Sequence, residues 1–264
     1  MKILIAVPTK GRFNRIKNKV HSWLQHTKYD FKYFVEPQEF DLYKQEIGAE
    51  NIVRLQDNDR GLSFAKGEIK LYAKRFGYDL IFKIDDDVYS WRNPINRGLG
   101  KSAPKISKED GCRDVFDKLV ANCIEAFEIS TVGGIAFKYG SEMRDYDENK
   151  VFDRVNSRFQ TCYITRTDLF HADEKIYCFE DFINFIHILE EGFITLRYSL
   201  SGMDNDPVGT NEGGIQSFDR KKKNEEDREY IMLKYPNLPW KRVEGKNWEY
   251  EPDFKQYGVK SEAI

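Results

Sequence analysis

The residues of this chain best placed to do chemistry are Asp85, Asp86 and Asp87, which end the apolar run Leu80-Ile81-Phe82-Lys83-Ile84. Three adjacent carboxylates repel one another unless a cation neutralises them. In strand geometry Asp85 and Asp87 point to one side and Asp86 to the other, so two carboxylates converge from one direction. Oxygen-only ligands of this kind suit Mg²⁺ or Mn²⁺, held through one or two carboxylates together with the phosphates of a substrate. A solvated acidic turn is the plainer reading of such a triplet. Its position directly after a buried strand, where open α/β sheets place their ligands, favours the cation.

Two further stretches have chemical content. Pro8-Thr9-Lys10-Gly11-Arg12 follows the apolar strand Ile3 to Val7 and supplies backbone N–H groups, a hydroxyl and two cations, which suits phosphate or a nucleotide base. Its Gly11 is not followed by the Lys-Ser/Thr of a P-loop, so it is no ATPase signature. The second is Cys178-Phe179-Glu180-Asp181-Phe182, which opens a helix with Phe182, Ile183, Phe185, Ile186 and Leu189 inward and Gly192 at its end. Acids in a first turn compensate the helix dipole, and periodicity alone supports no more than that. Lys66, expected in the first turn of a helix over about 64–76 with Ser63 as N-cap, opposes that dipole and points to a nearby anion.

The elements that must hold these groups follow a βαβ rhythm. Strands are expected at 3–7, 33–35 and 52–55, and helices at 13–27 and 64–76, implying a largely parallel sheet. Beyond the acids the pattern predicts a loop over 91–107, a strongly apolar helix over 113–128 and a strand over 131–137 interrupted by Gly133 and Gly134. An exposed charged loop over 141–154 and strands over 159–166 and 193–200 follow. The Gly-, Asn- and Asp-rich run 201–214 reads as a loop. A basic run Arg220 to Lys223, a short helix through Leu233, and Trp240, Lys241, Arg242 and Trp248 close the chain. Basic residues interleaved with aromatics can grip a nucleic acid, or the segment can wrap the core.

Length and composition allow one sizeable core: 264 residues, 40% hydrophobic and 14% aromatic. We expect residues 1–215 to form the nucleotide-binding domain and 216–264 an appendage packed on it. Forty-two basic and 44 acidic residues leave a net charge of −2, which neither demands nor excludes a polyanionic partner. Cys112, Cys123, Cys162 and Cys178 are widely spaced, with no pairing that suggests zinc or a disulfide framework. No apolar stretch approaches membrane-spanning length, so the expectation is a soluble, cytoplasmic protein with no obligate protein partner.

The string Arg60-Gly61-Leu62-Ser63-Phe64-Ala65-Lys66, followed some twenty residues later by the Asp85 to Asp87 strand end, resembles the G-x-S-x-A-[RK] helix and DxD strand of GT-A glycosyltransferases. Val7-Pro8-Thr9-Lys10-Gly11-Arg12 is similar to that fold's first strand and nucleotide loop. The resemblance implies an α/β GT-A-like domain, a mixed, mainly parallel sheet flanked by helices, that binds a nucleotide-sugar donor, a UDP-sugar first. It implies Pro8, Thr9, Lys10, Arg12, Asp57, Arg60, Gly61, Lys66, Asp85 and Asp86 around the donor, and Asp85 and Asp87 on Mn²⁺ or Mg²⁺. A third metal ligand, often His in that fold, is expected from the late loop; with no His after His187, Asp204, Asp206, Asn211 or water remain, and Asp206 is preferred. The Glu180-Asp181 pair falls where such enzymes keep the carboxylate facing the acceptor, implying Asp181 as base and Glu180 on an acceptor hydroxyl. The whole pattern is most similar to the TET/JBP-associated glycosyltransferases, which implies hydroxymethylated cytosine in phage DNA as acceptor, within the host cytoplasm. Glycan acceptors, and a sugar-nucleotide nucleotidyltransferase, are the alternatives; against the latter, the first loop lacks a Gly-rich run ending in basic residues.

Overall fold

The computed structural model describes residues 1–92, 115–143, 147, 149–206, 220–238, 240–242 and 250–252, with the side chains of 220, 221, 240–242 and 250–252 excepted. In chain order the elements are β1 (Ile3–Thr9), α1 (His21–Leu24), β2 (Asp30–Val35), α2 (Phe40–Ile47), β3 (Ile52–Arg54), α3 (Leu62–Arg75), β4 (Leu80–Ile84) and β5 (Val88–Arg92). Then come α4 (Asp117–Ala126), β6 (Val132–Tyr139), β7 (Phe152–Val155), β8 (Cys162–Arg166), α5 (Glu180–Glu190), β9 (Ile194–Asn205), α6 (Arg220–Lys234), β10 (Trp240–Arg242) and β11 (Tyr250–Pro252).

The large sheet has the order β3-β2-β1-β4-β8-β6-β9-β5, with β7 on β9. Strands β1, β2, β3 and β4 pair in parallel, as do β6 and β9, while β8, β5 and β7 run against their neighbours. Most strands therefore share one direction, and the sheet is the mixed, mainly parallel one expected. Its two faces read directly from side-chain alternation. Ile3, Ile5 and Val7 of β1 and Leu80, Phe82 and Ile84 of β4 join the cluster beneath α1, α2 and α4. Leu4, Ala6 and Ile81 face the other way, with Ala65, Ile69 and Ala73 of α3 and Phe185, Ile188 and Leu189 of α5. Both faces of β4 are covered, so all five of its residues are buried.

Helix α6 and the turn after it pack on α5: Ile231 of α6 and Leu238 beyond it share a cluster with Ile176, Phe179, Phe182, Ile183 and Ile186. Asp227 of α6, 1% exposed, accepts backbone N–H bonds from Tyr177 at 3.0 Å and Cys178 at 2.6 Å, directly ahead of α5. Among the described residues no helix is long and apolar enough to cross a membrane.

Several expectations change. The stretch 13–27 is not one helix but a 3₁₀ turn at Ile16–Asn18 followed by the four-residue α1. The backbone breaks at Lys19, and Ser22 Oγ donates to the Lys19 carbonyl at 2.7 Å. Ile16, Val20, Trp23 and Leu24 are buried all the same, so the apolar spacing is met by two turns. Helix α2, which the sequence reading did not anticipate, buries only Tyr43 and Ile47, too thin a stripe to show as periodicity. Ser63 is no N-cap: Gly61 takes that position at φ +83°, and Ser63 Oγ donates to the Ile176 carbonyl at 2.7 Å. Strand β9 runs through Asn205, so the run expected as a loop from 201 begins as strand. Within 141–154, Phe152–Val155 is β7. Trp91 and Arg92 end β5, and the basic run at 220–223 lies in α6. Residues 93–107, Cys112, Asn211 and Trp248 lie outside the described residues.

Candidate active site

The chain leaves β1 toward β2 on one side and returns to place β4 on the other, which makes the β1/β4 boundary the switch point of the sheet. Open α/β sheets bind ligands in the crevice outside the strand carboxyl ends at such a point. The carboxyl ends here carry Thr9 to Arg12 and Asp85 to Asp87. In the parallel register Ala6 pairs with Lys83, and continuing it sets Thr9 level with Asp86.

β4 stops at Ile84, and Asp85 to Asp87 form the turn into β5, so the strand alternation expected of the three acids does not hold. Each carboxylate has its own environment. Thr9 Oγ1 donates to Asp86 Oδ2 at 2.6 Å. With its proton spent there, Thr9 accepts from the Tyr43 hydroxyl at 2.7 Å, and Tyr43 in turn accepts the Arg12 backbone N–H at 3.1 Å. The Arg12 guanidinium binds Asp86 and lies 3.6 Å from Asp87. Burial pushes the Asp86 carboxyl up to about 6 against the pull of Arg12 and Thr9. Asp87 is pushed up to about 7 by burial and then by the charges of Asp85 and Asp86. Asp87 Oδ1 and Arg12 Nε are buried with no hydrogen-bond partner.

These orphaned atoms are the test of whether a divalent cation fits. A crowded acid with a bare buried oxygen is what a hard cation relieves, and Asp87 with Asp85 are the residues that would hold it. Asp206, the third ligand expected, pairs with Lys19 Nζ at 2.6 Å, and its charge is among those that raise Asp87. Among the described residues no group of three or more His, Cys, Asp or Glu side chains is arranged to hold a metal. The donor set therefore fits a site of one or two carboxylates completed by ligand oxygens, the arrangement common for Mg²⁺.

The second acid set meets the first across a buried lysine. Lys83, the polar residue within β4, lies on the same face as Ile81 and so points toward α3 and α5. Its Nζ is 2.6 Å from Asp85 Oδ1, 3.3 Å from Asp181 Oδ1 and 3.8 Å from Glu180 Oε1, and it donates to the Thr161 carbonyl at 3.3 Å. Burial works against its charge, but Asp181, Asp85 and Glu180 outweigh it and hold the ammonium well above its ordinary range. Lys66 of α3 is equally enclosed; its Nζ donates to the Glu180 backbone carbonyl at 2.8 Å, and burial lowers it to about 8. It was expected at the donor phosphates. Because α3 begins at Leu62, Lys66 instead sits in the second turn, facing the sheet beneath α5. Burial, then the charge of Asp181, pushes the Glu180 carboxyl up to about 8. Asp181 is the more open of the pair, 21% exposed against 7% for Glu180.

The remaining expected donor residues flank the β1 loop. Pro8 is buried within β1 opposite Phe34. Lys10 pairs with Glu36 at 2.9 Å and with Asp59. Arg60 reaches Asp57 at 3.3 Å and Glu174 at 2.6 Å, one residue ahead of Gly61. Lys83, Tyr43 and Glu36 are the site residues that sequence reasoning missed. Lys83 had a signal, an ammonium within an otherwise apolar strand.

A family model described as TET-Associated Glycosyltransferase matches residues 3–214. The chain belongs to that family. No curated protein matches its sequence. Among solved structures it is similar to S. aureus TarS 1-349, at 14% identity and TM-score 0.47, covering 77% of this chain and 59% of that one. Its similarity to TarS 1-349 in complex with UDP-GlcNAc has 14% identity and TM-score 0.46, over 88% of this chain and 67% of the other. A cytidylyltransferase from Leptospira borgpetersenii is similar at 12% identity and TM-score 0.42, over 89% and 94% of the two chains. The chain spans about three fifths of the first TarS fragment's length, 59%.

Proposed function

We propose that this protein is a metal-dependent glycosyltransferase that moves a sugar from a nucleoside diphosphate sugar, a UDP-sugar first, to the hydroxyl of hydroxymethylated cytosine in DNA. The observation that carries the reading is the meeting of two acid sets at the sheet's switch point. Asp85 to Asp87 lie on the donor side, and Glu180 and Asp181 lie across Lys83 from them. Family membership supplies the class of reaction.

Mn²⁺ or Mg²⁺ held by Asp87 and Asp85 would neutralise charge on the departing diphosphate. The protein's own groups do the rest. The β1 loop, Thr9 to Arg12, lines the donor side of the crevice, and Arg12 Nε, unpaired and buried, is a donor for a diphosphate oxygen. Asp181, the more open acid, takes the proton of the acceptor hydroxyl as its oxygen bonds to the anomeric carbon and the bond from that carbon to the diphosphate breaks. Glu180, pushed up to about 8, keeps its proton at neutral pH and can donate it in a hydrogen bond to an acceptor oxygen. A net charge of −2 gives no tight grip on DNA, and a catalytic encounter requires none.

The test is incubation with Mn²⁺, a panel of nucleotide sugars and duplex DNA containing hydroxymethylcytosine, followed by mass spectrometry of the digested nucleosides. A hexose or pentose added to hydroxymethylcytosine, lost with a chelator and restored by Mn²⁺, is the expected result. DNA left unmodified by every donor, while a glycan acceptor gains sugar, would reassign the acceptor.

A further inference from the structure

Lys83 has a place in this site that neither acid set explains. Its ammonium is fully enclosed, 0% exposed, and lies 5.6 Å from the centre of the Tyr163 ring, the residue paired with it on β8. Taking an ammonium out of water costs several kcal/mol, and well-packed apolar residues usually replace a buried ion pair without loss of stability. A lysine serving the fold alone would have little advantage there. What the position offers is rigidity: β4 is hydrogen-bonded on both sides, to β1 and β8, so the ammonium is a fixed point in the middle of the sheet. Two carboxylates from different elements rest on it, Asp85 from the β4 turn at 2.6 Å and Asp181 from α5 at 3.3 Å. Lys66 differs in kind. It holds the Glu180 backbone carbonyl, and so anchors the helix end without touching the carboxylate.

We propose that Lys83 is a positioning residue for the transfer reaction, its ammonium setting where the Asp181 carboxylate stands relative to Asp85 and hence to the donor. The inference rests on the function proposed above. Misplacing a reacting group by about 1 Å costs up to about a hundredfold in rate.

Lys83→Gln keeps a hydrogen-bond donor and removes the charge. The expected result is kcat lower by about a hundredfold with the donor KM within about threefold of wild type. In the double variant with Asp181→Asn, the combined loss in kcat should fall well short of the product of the two single losses, because the part of the Lys83 effect that acts through Asp181 is already gone. Lys83→Arg keeps the charge but shifts it, and should also lower kcat at unchanged KM; this reading remains if Lys83→Gln does not fold. Wild-type kcat in the folded Gln or Arg variant, or losses that multiply in the double variant, would overturn the inference while leaving the proposed function in place. If the wild-type protein transfers no sugar from any donor, the proposed function fails and the inference fails with it.

Discussion

The two acidic turns of this molecule are built in opposite ways. At the end of β4, Asp86 and Asp87 are held by side chains of another loop, the Thr9 hydroxyl and the Arg12 guanidinium, and Asp87 keeps a bare oxygen. At the start of α5, Glu180 is enclosed, and its backbone carbonyl is gripped by Lys66. On the function proposed, the first arrangement offers the bare Asp87 oxygen to a cation and the Arg12 Nε hydrogen to a diphosphate. In the second, the Glu180 backbone is fixed by Lys66, and its enclosed carboxyl is held above its ordinary range by burial and by Asp181. On the function proposed above, charge neutralisation falls to one turn and acid–base work to the other.

The contrast breaks most visibly at Asp87. Asp87→Ala should lower transfer by about a thousandfold or more, equivalent to about 4 kcal/mol, with an unchanged circular dichroism spectrum. Turnover near wild type would remove the cation from the donor side. Asp181→Asn should cost about a hundredfold to ten-thousandfold in kcat with donor binding preserved by calorimetry; loss of donor binding instead would move Asp181 to the donor set. Thr9→Val cuts the chain from Tyr43 to Asp86 and should cost about tenfold in kcat/KM, or about 1.4 kcal/mol, read from initial rates.

The last expected effect is on stability rather than on turnover, and it depends on pH. A carboxyl held near 8 in the fold and at about 4.3 when unfolded keeps its proton longer when folded. The folded state then binds more protons between those values, so stability falls as pH rises through that window. Glu180→Gln should flatten the fall in urea-unfolding free energy between about pH 5 and 8. A slope equal to that of wild type would show that the carboxyl titrates normally.

Much of this was legible in the sequence. The β1 and β4 strands showed because both faces of the sheet are covered, which makes their runs continuously apolar. The acids at 85–87 and 180–181 stood out because each interrupts or opens an apolar element. The turn geometry of Asp85 to Asp87 was hidden, since alternation gives the right parity only while the strand continues. Lys66 was misplaced by a shift of about two residues in the helix start, which moved it from the dipole end to the buried face. Tyr43 and Glu36 were invisible because their roles depend on the end of β2 and on α2 lying beside β1, a tertiary adjacency that no local pattern encodes.

Asp227 ties the chain's late portion to its chemistry. Its carboxylate gathers the peptide N–H groups of Tyr177 and Cys178, so the pedestal of the acid pair is completed by a residue 46 positions after Asp181. On the proposed function, a chain emerging from the ribosome carries its donor-side aspartates early, while the peptide N–H groups ahead of Glu180 and Asp181 gain their Asp227 partner only once α6 has been made. Sugar transfer would then wait on that late helix.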